Sequence, residues 1–267
     1  MRQTREGVAI NGTPLTSIDP DAVLLKVEEG ATLRSFTASS PASGMGQHVD
    51  AMEQRTKDIT LHVAVAIPRD RERRADVMDR ITAWATQGEW DTPAGCRLTL
   101  ASRPGRYLWC RCANLPQLGD LSAWTQGTAI TMRAYAVPLW QADTPMRTAA
   151  TLAAGSTQTM RATNTGNAPT RLWAEITPTS ALTSVTIAAQ GGDVMKLRGL
   201  SVAAGTVLRV GYDAEDRLYI RAGDASVLGK LSTNSSDYIT LAPGATTISV
   251  TTDAPAEVAL YAYGRWY

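Results

Sequence analysis

The densest acidic cluster in the chain is Asp213, Glu215 and Asp216. Paired carboxylates are what glycoside hydrolysis requires. These three lie in GYDAEDRLYI, between two alternating arms, so a solvated hairpin turn accounts for them. The ligand spacing and central glycine of a calcium loop are absent. Of the three cysteines, Cys96, Cys110 and Cys112, the last two flank Arg111 and point to one face of a strand. A structural zinc site takes four ligands in two close pairs, and the second pair is missing here. Buried, reduced thiols are the expectation. Nucleophile–base catalysis needs an oriented base. His62 sits in an alternating strand beside Asp58 and Thr60, His48 lies in a polar stretch, and there is no Gly-x-Ser-x-Gly elbow. No glycine loop that could cradle a phosphate precedes a helical segment. The reading is of a non-enzyme with no catalytic residue, no cofactor and no metal. Aromatic platforms are the remaining chemistry: Trp173, Tyr212 and Tyr219 are candidates for contact with a saccharide.

The elements that position these residues are mostly strands. DITLHVAVAI (58–67) alternates Ile59, Leu61, Val63, Val65 and Ile67 against polar or small neighbours, the period of a half-buried strand. Over 69–87 the period changes. Val77, Met78, Ile81, Trp84 and Ala85 fall at helical spacing, with Arg71, Glu72, Arg73, Asp76, Asp79 and Arg80 mainly opposite. Gly88 follows as a C-cap. Arginines in RDRERRADVMDR alternate with acids, which suits a solvated face or a charged contact between subunits better than nucleic acid. Strands CRLTLAS, RYLWCRC and GTAITMRAYAVPLW come next, whereas 30–54 is small and polar, a long loop of the kind that is functional or ordered by a partner. Asn11-Gly12 marks a turn.

Residues 1–142 are expected to form one domain, 143–156 a linker of small and polar residues, and 157–267 a β-sandwich of short strands divided by turn signals. The 267 residues carry a formal net charge of +1, so no global field favours nucleic acid or an anionic membrane. No stretch approaches the roughly 20 apolar residues of a membrane span. The N-terminus lacks an apolar run, so no signal peptide is expected and the chain would be made and folded in a cytoplasm.

Several of these segments together resemble the distal tail protein family of long, non-contractile-tailed bacteriophages. They are the arginine-rich helix, the Pro93–Gly95 turn, ASRPGRYLWCRC and the strand ending AVPLW. In the second half they are NTGNAPTRLWAEITP, LAPGATTISVTT and the closing YAYGRWY. The resemblance extends over essentially the whole chain. It implies a mainly β protein: a tail-tube-like β-sandwich with one flanking helix, followed by a galectin-like β-sandwich. It also implies a virion component, a hexameric ring joining the tail tube protein to the tip or baseplate hub and the receptor-binding proteins. Phe36, Met45 and His48 of the polar stretch and Arg73, Arg74 and Arg80 of the helix are then candidates for the ring interface. The alternative is a carbohydrate-binding or host-adhesion module that meets a host surface saccharide through the second sandwich. A hydrolase using Asp213 or Glu215 is the third reading.

Overall fold

The computed structural model describes residues 7–20, 22–39, 48–66, 71–114, 116–117, 119–120 and 125–267. The protein is mainly β, and its contacts divide it into two units, Met1–Trp140 and Gln141–Tyr267.

The first unit holds β1 (Val8–Ile10), β2 (Thr13–Pro14), β3 (Ala22–Glu29), β4 (Arg34–Ser39), β5 (His48–Gln54), β6 (Lys57–Ala66), α1 (Arg71–Thr86), β7 (Cys96–Leu100), β8 (Arg106–Cys112), β9 (Gly119–Asp120) and β10 (Thr125–Ala134). Its strands form the antiparallel path β2-β1-β7-β8-β10-β6-β3. The pairing of β8 with β10 involves only Met132 with Cys112 and Arg133 with Arg111, so a narrow seam joins the two halves of this path. The alternation read in 58–67 is observed: Ile59, Leu61, Val63 and Val65 are buried, and their strand pairs along its full length with β10. Ile67 lies outside the described residues.

Helix α1 spans Arg71–Thr86; of the range 69–87 expected from the sequence, 69 and 70 lie outside the described residues and Gln87 is in a turn. Val77, Ile81, Trp84 and Ala85 are buried, which is worth about 2 kcal/mol for each large side chain. Trp84 donates its indole N–H to Thr13 O at 2.8 Å. The helix ends where Gly88 takes φ 68°. Asn11, itself at φ 48°, donates to Gln87 O (3.0 Å) and accepts from Arg97 N (2.8 Å). One amide thus ties the first hairpin, the helix end and β7 together. The helix connects β6 to β7, which are separated in the path by β10 and β8. Two intervening antiparallel strands leave β6 and β7 running in opposite directions, so this is no parallel crossover.

The stretch 30–54 departs from the expected loop. Arg34–Ser39 and His48–Gln54 pair as an antiparallel arm with a register shift at Thr37/Ala38. Among the described residues these two strands pair only with each other. Leu33 and Arg55 continue the ladder toward β3 and β6 through bonds to Thr56 O and Leu33 O. Small and polar side chains carry no two-residue hydrophobic period, which hid this hairpin from sequence reading.

At the end of β3, Glu29 accepts a bidentate pair from Arg103 (2.6 and 2.8 Å), the Trp140 indole N–H (3.2 Å) and an ion pair from buried Lys57 (3.6 Å). Burial pushes the Glu29 carboxyl up, but the Arg103 bond, the indole and the two cations outweigh it and hold it below its ordinary value. Burial lowers Lys57.

Strand β11 (Trp140–Ala142) begins on the last residue of the first unit, and the second unit continues with β12 (Met146–Leu152), β13 (Thr157–Asn164), β14 (Thr170–Pro178), β15 (Leu182–Ala189), β16 (Val194–Val202), β17 (Leu208–Tyr212), β18 (Leu218–Ala222), β19 (Ala225–Ser226), β20 (Thr240–Leu241), β21 (Gly244–Thr252), β22 (Ala256–Ala262) and β23 (Arg265–Trp266). One sheet runs β12-β22-β14-β17-β18-β19, with β20 also on β14, and the other runs β13-β21-β15-β16. Leu172, Ala174, Ile176, Val210 and Val258 of the first meet Met160, Val185, Ile187, Ile248 and Val250 of the second in one core. That is a β-sandwich. The segment 143–156, expected as a linker, is corrected in part: residues 146–152 pair with the whole of β22. An edge strand with one exposed face and small side chains reads like a linker because few of its positions need to be apolar.

Candidate functional site

Along β14 the core takes Leu172, Ala174 and Ile176, so Arg171, Trp173 and Glu175 stand on the outer face. Register lines Trp173 up with Tyr261 on one side and Gly211 on the other, and Gly211 with Tyr219 beyond it. Gly211 lies at φ 125°. A Cβ there would run into Leu172 O and stand 2.9 Å from Trp173 Cα, so this point of the row carries no side chain. The result is a gap between two aromatic residues. Trp173, Arg209, Asp213 and Tyr219 line a cavity of ≈ 230 Å³ over it.

The walls are held by polar contacts. Trp173 stacks on Tyr261 at 4.8 Å between ring centroids and 26° between planes. The Tyr261 hydroxyl donates to Glu175 Oε2 (3.0 Å), and Arg209 Nε donates to Glu175 Oε1 (3.0 Å). That bond raises the Arg209 pKa. The Arg221 guanidinium lies 5.1 Å from the Tyr219 ring centre. Asp213 accepts from Glu215 N, Arg217 N and Arg217 Nε at 2.9–3.0 Å, which fixes the wall formed by the acidic turn. The Trp173 indole N–H is buried and has no hydrogen-bond partner.

The acidic turn is less solvated than its sequence implies. Asp216, at φ 62°, is held between Arg265 (2.9 Å) and Arg171 (3.3 Å). Glu215 pairs with Arg217 at 3.3 Å, and burial raises its carboxyl pKa. Each acid therefore has an arginine partner. No group of three or more His, Cys, Asp or Glu residues among the described ones is placed to hold a metal ion.

Of the three saccharide candidates, Trp173 and Tyr219 share the cavity. Tyr212 belongs to another cluster, edge-on to Tyr238 at 6.1 Å with Arg171 over both rings at 4.2 and 4.7 Å. Sequence reading missed Arg209 and Gly211. A glycine inside an alternating strand was the available signal, since it marks a bulge or close backbone approach. Chemically, two aromatic rings with a guanidinium and a carboxylate between them suit stacking and hydrogen bonding to a polyhydroxylated ring.

The ring-interface candidates fare differently. Arg80 is engaged within its own unit, with Asp76 (2.8 Å), Asp19 (3.3 Å) and Ile18 O (3.1 Å). Arg73 is exposed on α1. Phe36 lies on β4, His48 on β5 and Arg74 on α1; Met45 lies outside the described residues.

No family model matches the chain, and no curated protein matches it. Among solved structures it is similar to the Dit protein of phage SPP1, described as a paradigm of the hub adsorption apparatus in phages infecting Gram-positive hosts. The two are 13% identical, with 98% of this chain and 99% of that chain covered and a TM-score of 0.69. A looser likeness is to a chain of the phage p2 baseplate in its activated conformation with strontium. It is 7% identical, covers 97% of each chain and has a TM-score of 0.47, too low to carry an argument. The chain is thus Dit-like in fold, a phage distal tail protein architecture along nearly its whole length.

Proposed function

We propose that the protein is a structural component of a bacteriophage tail tip. In this reading it forms a ring, hexameric by resemblance, between the tail tube and the tip or baseplate proteins. The observation that supports it is the likeness to SPP1 Dit over both chains from end to end; a match of one unit alone would fit any β-sandwich module. The first unit supplies the ring and the second, galectin-like, faces the tip proteins. The β4–β5 arm reaches the neighbouring subunit, using Phe36, Met45 and His48, and α1 adds Arg73 and Arg74. Arg80, already bonded to Asp76 and Asp19, serves its own subunit instead. The protein is built into the virion and acts without turnover. Negative-stain imaging and light scattering of the purified protein test this. Rings with a mass near six chains are the expected result, and a strict monomer at micromolar concentration would overturn it.

A second reading is favoured by the cavity at Trp173. The C-terminal sandwich binds a host surface saccharide there, with the sugar stacked on Trp173 or Tyr219 and its hydroxyls bonded to Arg209 and Asp213. Glycan-array binding that disappears in Trp173→Ala, with the fold intact, is the expected outcome. An array without signal removes this reading and leaves the ring untouched.

A further inference from the structure

Cys96 and Cys110 are both fully buried and face each other directly across the β7–β8 ladder. Their sulfurs are 4.0 Å apart, and the Cys96 thiol donates to Cys110 O at 3.1 Å. Both are free thiols. From their register and separation we propose that Cys96 and Cys110 form a two-electron redox pair, closing to a strained cross-strand disulfide on exposure to a peroxide or disulfide oxidant. This goes beyond the tail-tip reading and does not depend on it.

Geometry selects this pair from the three thiols. Residues directly opposed in antiparallel strands hold their Cβ atoms roughly 4.5–5.5 Å apart. A disulfide needs about 3.5–4.5 Å between Cβ atoms and about 2.05 Å between sulfurs. The strands must therefore approach by roughly an ångström, which the ladder resists. Such a bond forms but is easily reduced. Cys112 is placed otherwise. It lies two residues along the same strand, faces Met132 across the ladder and donates to Asn114 O at 2.7 Å.

The chemistry balances with peroxide as oxidant. The hydrogen bond with Cys110 lowers the Cys96 thiol, whereas burial raises Cys110, so Cys96 reacts first. Its thiolate attacks a peroxide oxygen, the O–O bond breaks and, with the proton returned, one water leaves. The sulfur is now a sulfenic acid. The Cys110 sulfur then attacks the Cys96 sulfur, the S–O bond breaks and a second water leaves with the Cys110 proton. Two electrons pass from the sulfurs to the peroxide.

Two arms test the pair, and the refolding arm does so without relying on access to the buried site. Folded protein is treated with hydrogen peroxide, and denatured, reduced protein is refolded in a buffer of oxidised and reduced glutathione. Both are quenched with alkylating agent in denaturant and mapped by mass spectrometry. In the refolding arm the thiol count is expected to fall from the three of the reduced chain to a single one on Cys112, with a Cys96–Cys110 linked peptide. Excess reduced glutathione restores all of them. Cys112→Ala still forms the link and Cys110→Ala does not. Protein that refolds with all thiols free, or with Cys112 in the bridge, overturns the proposal.

Discussion

Glu29 shows how much one side chain can carry in a mostly neutral protein. Its carboxylate binds Arg103, the Trp140 indole and Lys57 at once. A carboxyl held low when folded contributes stability above its unfolded value, about pH 4, and loses that contribution as pH falls through the lower folded value. Asp58, held low by bidentate Arg133 against the opposing effect of burial, acts in the same sense. The urea midpoint is therefore expected to drop as the pH falls below about 5. Glu29→Gln should lose about 1.5–3 kcal/mol at neutral pH and show a shallower fall on acidification. Parallel wild-type and mutant acid profiles would mean that the cluster contributes nothing through charge. Little of this was legible in the sequence. In the sequence Glu29 is simply the second of two adjacent acids closing AVLLKVEE, and its partners come from as far away as Trp140. The Asn11-Gly12 turn was legible, because a dipeptide suited to positive φ announces itself locally. That Asn11 also fastens the helix end and β7 was not, since those partners are 76 and 86 residues away.

At the level of elements, legibility followed hydrophobic period. Helix α1 and strands β6, β7, β8, β10, β14 and β21 could be read because each has one buried face repeating at 3.6 or 2 residues. The arm β4–β5 and edge strand β12 could not, because small polar side chains leave no such period. The candidate site falls between these cases. Trp173 and Tyr219 are conspicuous residue types, but the cavity between them depends on Gly211, whose role is set by contact with β14 rather than by its neighbours in sequence. Gly211→Ala puts a methyl against Leu172 O and Trp173 Cα. The expected cost is about 1–3 kcal/mol, measured as a fall in the urea midpoint, with Tyr219 displaced from Trp173. An unchanged midpoint would mean that β14 and β17 part without penalty and that the glycine is not required by packing.

For the whole molecule, the arm poses the sharpest question. A two-stranded hairpin on its own is at best marginally stable in water. The β4–β5 arm pairs with no other described strand of this chain, which accords with a role in holding a second copy. If the proposed ring forms, deleting residues 35–48 is expected to shift the purified protein from rings toward single subunits in light scattering, while the urea midpoint of the second unit stays in place. Assembly that survives the deletion would assign the ring contact to other surfaces, α1 first. The mainly β class was readable from the sequence as a whole, because the one long helical period lies in the first half and alternating strands fill most of the second.

The strand order of the second unit also bears on how the protein is made. β21 and β22 come late in the chain, yet β22 sits between β12 and β14, and β21 between β13 and β15. Both sheets thus receive a central strand last. While a ribosome is still synthesising residues 244–262, the earlier strands have no partners across the middle of either sheet. The first unit can fold during translation, but the second has to wait for its final strands. A product truncated before Gly244 would leave Leu172, Ile176, Val185 and Ile187 exposed, and such a chain is a target for degradation.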